Sequence, residues 1–189
     1  MPESSAPERT GLILAGGKGE RMGGAYKPLV AYRGRPLISW ALDALAPLCD
    51  ELVVAYGPAP LRADLVAVVG ERARFVPDEG AGPVSGLRAG AQAARGAWLL
   101  VAPVDSPNLA APLYQELLAA VGAREGACAL ADGHANALVG AYRRAPLLAA
   151  LWTGIARSPR EVIARMDVVT VPVSAEDVRD VDSPGDLRA

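Results

Sequence analysis

The chain has 189 residues, the length of one domain and short for two. Hydrophobic residues make up 51% and aromatics 5%, so the core rests on Ala, Val and Leu, a composition suited to helices on a buried sheet rather than an all-β sandwich. A formal net charge of -2 lacks the basic surplus of a nucleic-acid binder.

Residues 1–10 are polar and are expected to form a disordered tail, with residues 11–189 as one domain. The tail has no apolar stretch of the kind a secretory signal needs. The longest apolar runs, such as 97–104, fall short of the ~20 residues that span a bilayer. The expected setting is therefore cytoplasmic, with no membrane or nucleic-acid partner, as a monomer or homo-oligomer. Cys49 and Cys128 lack metal-ligand spacing and read as small hydrophobes.

The run 11–15 (GLILA) predicts a strand buried on both faces, ending at Gly16-Gly17. Residues 36–48 follow with Leu37, Ile38, Ala41, Leu42 and Leu45 at helical spacing and Pro36 at the start. A strand is predicted over 51–56, a weaker helix over 61–69, and a third strand over 73–76 that stops at Pro77-Asp78. After a loop at 80–83, residues 84–94 read as a small-residue helix with Gly86 and Gly90 one turn apart. The most apolar strand, 98–102, ends at Pro103-Val104-Asp105. A helix over 111–121 precedes strands over 128–131 and 137–142, joined by Asp132-Gly133 turn chemistry. Helices over 145–153 and 159–166, a strand over 168–173 and a terminal segment over 177–187 complete the chain.

Strands alternating with helices imply a single three-layer α/β domain, with a mixed, mainly parallel, Rossmann-like sheet. In such sheets ligands bind beyond the carboxyl ends of the strands. The Gly16 loop, Asp78 and Asp105 each follow a predicted strand, so all three fall at that edge.

The segment Leu14-Ala15-Gly16-Gly17-Lys18-Gly19-Glu20-Arg21-Met22-Gly23-Gly24, continuing to Lys27, combines glycines with two cations. Glycines let backbone amides approach a polyanion, and successive N–H groups make an anion nest. Arg21 and Lys27 stand where they can neutralise a triphosphate. The spacing is neither that of a Walker A loop nor that of the dinucleotide fingerprint. The alternative is a plain Gly-rich turn.

Asp105 is held rigidly at a strand end, where a carboxylate can share magnesium with phosphate oxygens and water. Its alternative role is to cap the helix that follows. Asp180 and Asp182 alternate, so an extended backbone would present both carboxylates on one face; the alternative is a solvated turn at Ser183-Pro184. Gly82-Pro83-Val84-Ser85-Gly86 opens a helix whose start can accept a base edge or phosphate, or simply packs tightly on the sheet. His134, the sole histidine, sits in a turn with no nucleophile motif beside it.

The Leu14–Gly17, Arg21-Met22-Gly23 and Lys27-Pro28-Leu29 stretches resemble the signature of the nucleotide-diphospho-sugar transferase superfamily. Within it, Gly23-Gly24 is most similar to the molybdenum cofactor guanylyltransferase family. The resemblance continues through Pro77-Asp78, 82–86, Val104-Asp105-Ser106-Pro107 and 180–184. It implies that Leu14, Ala15, Gly16, Gly17, Lys27, Asp78 and Asp105 bind the nucleotide. Arg21, Lys27 and Asp105 would be catalytic, and Asp105 with Asp182 would hold Mg2+. It implies GTP and molybdopterin as substrates, with pyrophosphate released. The family often carries Asn where this chain has Ala55. A cobinamide-phosphate guanylyltransferase, a molybdopterin cytidylyltransferase and a non-catalytic nucleotide-binding regulator stand as alternatives.

Overall fold

The computed structural model describes residues 8–16, 26–57, 62–78, 82–154, 156–183 and 185–188. In chain order the strands are β1 (Arg9–Ala15), β2 (Ala31–Tyr32), β3 (Arg35–Pro36), β4 (Glu51–Tyr56), β5 (Arg74–Pro77), β6 (Trp98–Pro103), β7 (Gly126–Ala131), β8 (His134–Arg143) and β9 (Val168–Pro172). The helices are α1 (Leu37–Leu45), α2 (Arg62–Val69), α3 (Pro83–Ala93), α4 (Ala111–Val121), α5 (Arg144–Trp152) and α6 (Pro159–Ile163).

Seven strands form one sheet in the order β5-β4-β1-β6-β8-β7-β9. β4, β1 and β6 pair in parallel, as do β4 with β5 and β7 with β9. β8 runs antiparallel to β6 and to β7. Side chains alternate across each strand, so β1 sends Leu12 and Leu14 to one face and Ile13 and Ala15 to the other. The Ile13 face packs α1, α2 and α4 through residues such as Leu42, Leu65 and Leu117. The Leu12 face packs α3, α5 and α6 through Leu87, Leu147 and Val162. The expected three-layer, mainly parallel α/β architecture is the one observed. Among the described residues no helix is long and apolar enough to cross a membrane.

β1 begins at Arg9, which corrects the tail boundary expected at residue 10; residues 1–7 lie outside the described set. Thr10 is polar yet fully buried, because its hydroxyl donates to Glu51 Oε1 at 2.7 Å and accepts from Gly96 N–H at 3.0 Å. Hydrogen bonding offsets the burial of such a group, and hydropathy alone does not foresee it. The β2–β3 hairpin was also unforeseen; two-residue strands leave little periodicity to read.

The hairpin at Asp132-Gly133 matches its expected chemistry. Both residues have positive φ, 49° and 74°, between the paired residues Ala131 and His134, as a tight two-residue turn requires. His134 is exposed, with Nδ1 2.8 Å from the Asp132 carbonyl oxygen. Both cysteines are free, Cys128 buried and Cys49 half-buried.

Candidate active site

The parallel strands bring their carboxyl ends to one edge, and the candidate residues gather there. Asp105 follows β6. The turn that carries it is tied to β1 by the Val104 N–H donating to the Leu14 carbonyl at 3.1 Å. Lys27 opens a short 3-10 helix, Lys27–Leu29, with Pro28 as its second residue. Asp182 comes from the far end of the chain. Its segment is fastened by the Val181 N–H, which donates to the Asp105 carbonyl at 2.8 Å, and by Val178 and Val181, both buried in the core.

These three side chains meet at one point. The Lys27 ammonium donates to Asp105 Oδ2 at 2.8 Å and to Asp182 Oδ1 at 2.6 Å. The lysine side chain is only 14% exposed, against 51% for Asp182. Burial alone would lower the Lys27 pKa. The hydrogen bonds and charges of Asp105 and Asp182 outweigh it, and the pKa stands above the ordinary lysine value. Lys27 is therefore a firm cation at physiological pH.

Asp105 does not cap α4: the residue preceding that helix is Ala110, without a side-chain cap. Asp180 and Asp182 do not act as a matched pair on one face. Asp180 Oδ1 accepts from the buried Ser106 hydroxyl at 2.6 Å, while Asp182 turns to Lys27. The extended-strand expectation fails because residues 179–183 form no strand. Burial first, and then the nearby charge of Asp105, pushes the Asp180 carboxyl above its usual value.

Asp78 leaves β5 with its N–H donating to the Tyr56 carbonyl at 2.8 Å. Its carboxylate lies in a recess with no side chain on two sides. A methyl group at Gly16 would come within 2.7 Å of Asp78 Oδ2, and one at Gly86 within 3.1 Å. Gly86 therefore shapes this recess. Gly90, one turn on, serves packing: a methyl there would fall 2.6 Å from Leu12 Cδ2. The tight-packing expectation for this helix holds at Gly90. Ala55 is fully buried in β4 beneath Gly86, its Cβ 3.9 Å from the position of a Gly86 methyl.

Leu14 and Ala15 bury their side chains in the cores on opposite faces of the sheet. The Ala15 carbonyl accepts from the Tyr26 hydroxyl at 3.2 Å. Burial, with the charge of Asp78, pushes that phenol up to about 12. Gly17 and Arg21 lie outside the described residues, as do Met22, Gly23 and Gly24.

A family model described as the MobA-like NTP transferase domain matches residues 11–170. The chain belongs to the MobA-like NTP transferase family. A molybdenum cofactor guanylyltransferase from Pseudomonas aeruginosa is 41% identical over 124 residues, which span 65% of this chain and 61% of that protein. One from Ectopseudomonas mendocina is 35% identical over 173 residues, 89% of this chain and 83% of the other. Among solved structures, the molybdopterin-guanine dinucleotide biosynthesis protein A from Archaeoglobus fulgidus superposes with a TM-score of 0.72 at 22% identity, covering 95% of each chain.

In this MobA-like domain the sequence gives Ser106 no role beyond its place in the motif around Asp105, and gives Tyr26 none at all. Both adjoin candidate residues, and both act through bonds that only the folded chain creates. The donor set also fits a hard divalent cation: two carboxylates already converge on a cationic nitrogen, and magnesium favours one or two carboxylates with the rest of its oxygens from phosphate and water. Among the described residues no group of three or more His, Cys, Asp or Glu side chains is placed to hold a metal ion.

Proposed function

We propose that this protein is a magnesium-dependent nucleotidyltransferase that transfers GMP from GTP to molybdopterin, forming molybdopterin guanine dinucleotide and pyrophosphate. The observation that carries the proposal is the convergence of Lys27, Asp105 and Asp182 at the carboxyl edge, beside the Gly16–Asp78–Gly86 recess. The names of the relatives at 35–43% identity support the choice of GTP and molybdopterin.

An oxygen of the acceptor phosphate forms a bond to the α-phosphorus, and the bond from that phosphorus to the bridging oxygen of pyrophosphate breaks. No protein nucleophile is required; the protein supplies position and opposite charge. Lys27 and Arg21 hold the triphosphate and the departing pyrophosphate. Asp78 in its recess accepts hydrogen bonds from the guanosine part, and the backbone of Leu14, Ala15, Gly16 and Gly17 lies along the nucleotide. Magnesium held by Asp105 and Asp182 would supply charge neutralisation at the phosphate oxygens.

The test uses purified protein, each of the four nucleoside triphosphates, Mg2+, and either molybdopterin or cobinamide phosphate. Pyrophosphate is expected only with GTP and molybdopterin. Turnover with CTP, or with cobinamide phosphate, would reassign the base or the acceptor. Nucleotide binding without pyrophosphate under any condition would make the protein a regulator.

A further inference from the structure

We propose that the Lys27 ammonium is an internal stand-in for the divalent ion: it occupies the cation position between Asp105 and Asp182 until a nucleoside triphosphate draws it away, so that the nucleotide admits the metal. This rests on the assignment of Asp105 and Asp182 as the metal-binding pair.

The geometry argues for competition. A single nitrogen satisfies one oxygen of each carboxylate, at 2.8 and 2.6 Å, and its side chain is 14% exposed. A divalent ion bound to the same two carboxylates would sit against this ammonium and be repelled by it at close range, where partial burial weakens solvent screening. Without the lysine the two carboxylates carry two negative charges; with it they carry one. The ammonium thus partly neutralises the pair and already engages one oxygen of each carboxylate.

A triphosphate changes the balance. It offers the ammonium a charge-assisted partner with many oxygens, and it brings phosphate oxygens that complete the coordination of a magnesium ion. Lys27 exchanges one set of anions for another and vacates the carboxylates as it does so. Asp182, half exposed and on the C-terminal segment, is free of sheet pairing and can follow either cation. The order of binding is then nucleotide with or before metal, never metal firmly alone.

Manganese titrations of the 189-residue chain without nucleotide, read by the electron paramagnetic resonance of free Mn2+, test this without turnover. Lys27→Met should bind Mn2+ on the order of tenfold or more tighter than the wild type, and Lys27→Arg, which keeps a cation, should not. Equal or weaker binding by Lys27→Met overturns the proposal. The metal assignment is separately tested by adding a non-hydrolysable GTP analogue. Wild type should then bind Mn2+ and Asp105→Asn should not; if they bind alike, the assignment falls and the proposal with it. Should Lys27→Met fail to fold, the 15N resonance of the Lys27 ammonium in the wild type gives the second reading. It stays in place with Mg2+ alone and shifts with Mg2+ and the analogue; a shift with Mg2+ alone overturns the proposal.

Discussion

Glu51 is the structural keystone of the sheet edge opposite the site, and Glu51→Gln isolates its charge while keeping its shape. Oε1 accepts from the Thr10 hydroxyl at 2.7 Å and from the Arg95 N–H at 2.6 Å. Oε2 accepts from Arg74 Nη2 at 2.9 Å and Nε at 3.3 Å. One carboxylate thus joins the starts of β1, β4 and β5 and the approach to β6. In the amide, one oxygen can still serve Thr10 and Arg95, but an NH2 group then faces the guanidinium. Hydrogen bonds to charged groups contribute roughly 1.5–3 kcal/mol each, and the Arg74 side chain is 39% exposed, so solvent screening lowers its share. The expected loss is about 2 kcal/mol at neutral pH, or about 4–8 °C in Tm for a domain of this size.

The pH dependence gives a second check. Burial would raise the Glu51 pKa, but its hydrogen bonds and Arg74 outweigh this and leave it below the usual value. The unfolded chain then binds the proton more readily than the folded one. The stabilisation is fully present above the ordinary glutamate pKa of about 4.3 and fades as pH falls through the lowered folded value. Urea unfolding of wild type and Glu51→Gln near neutral pH and again at about pH 3.5, below the ordinary glutamate pKa, should show a gap that narrows with acid. A gap below about 0.5 kcal/mol at neutral pH, the size of an ordinary surface ion pair, would refute the reasoning.

Asp105→Ala should lower turnover by roughly a thousandfold, measured as pyrophosphate release, while the circular dichroism melt stays near that of wild type, because the α4 cap does not depend on it. Gly90→Ala should destabilise by about 1 kcal/mol: overpacking against the buried Leu12 costs roughly 1–3 kcal/mol and the gain in helix propensity returns up to about 1 kcal/mol. Adding Leu12→Val should recover part of that loss in thermal melts. Gly16→Ala places a methyl 2.7 Å from Asp78 Oδ2, so isothermal titration with GTP should show binding weakened by about tenfold with little change in Tm.

The strand-end positions of Gly16, Asp78 and Asp105 were legible because a continuous apolar run followed by a glycine or an acid marks where a buried strand leaves the sheet. The layer order was legible from the alternation of such runs with helical spacing. Hydropathy did not show that Thr10 lies inside the sheet, because its hydrogen-bond partner is 41 residues away in the chain.

The amino-acid sequence by itself determined which residues could carry charge at the carboxyl edge, since strand period and chain order dictate where each strand ends. The tertiary structure alone decided which of them touch. Lys27 and Asp182 are separated by 155 positions, and no local pattern relates them; their contact exists because Val178 and Val181 bury themselves in the core and the Val181 N–H bonds to the Asp105 carbonyl. Burial and backbone pairing between distant segments are global properties of the packed chain, so they sent Asp182 to the lysine and its near neighbour Asp180 to Ser106.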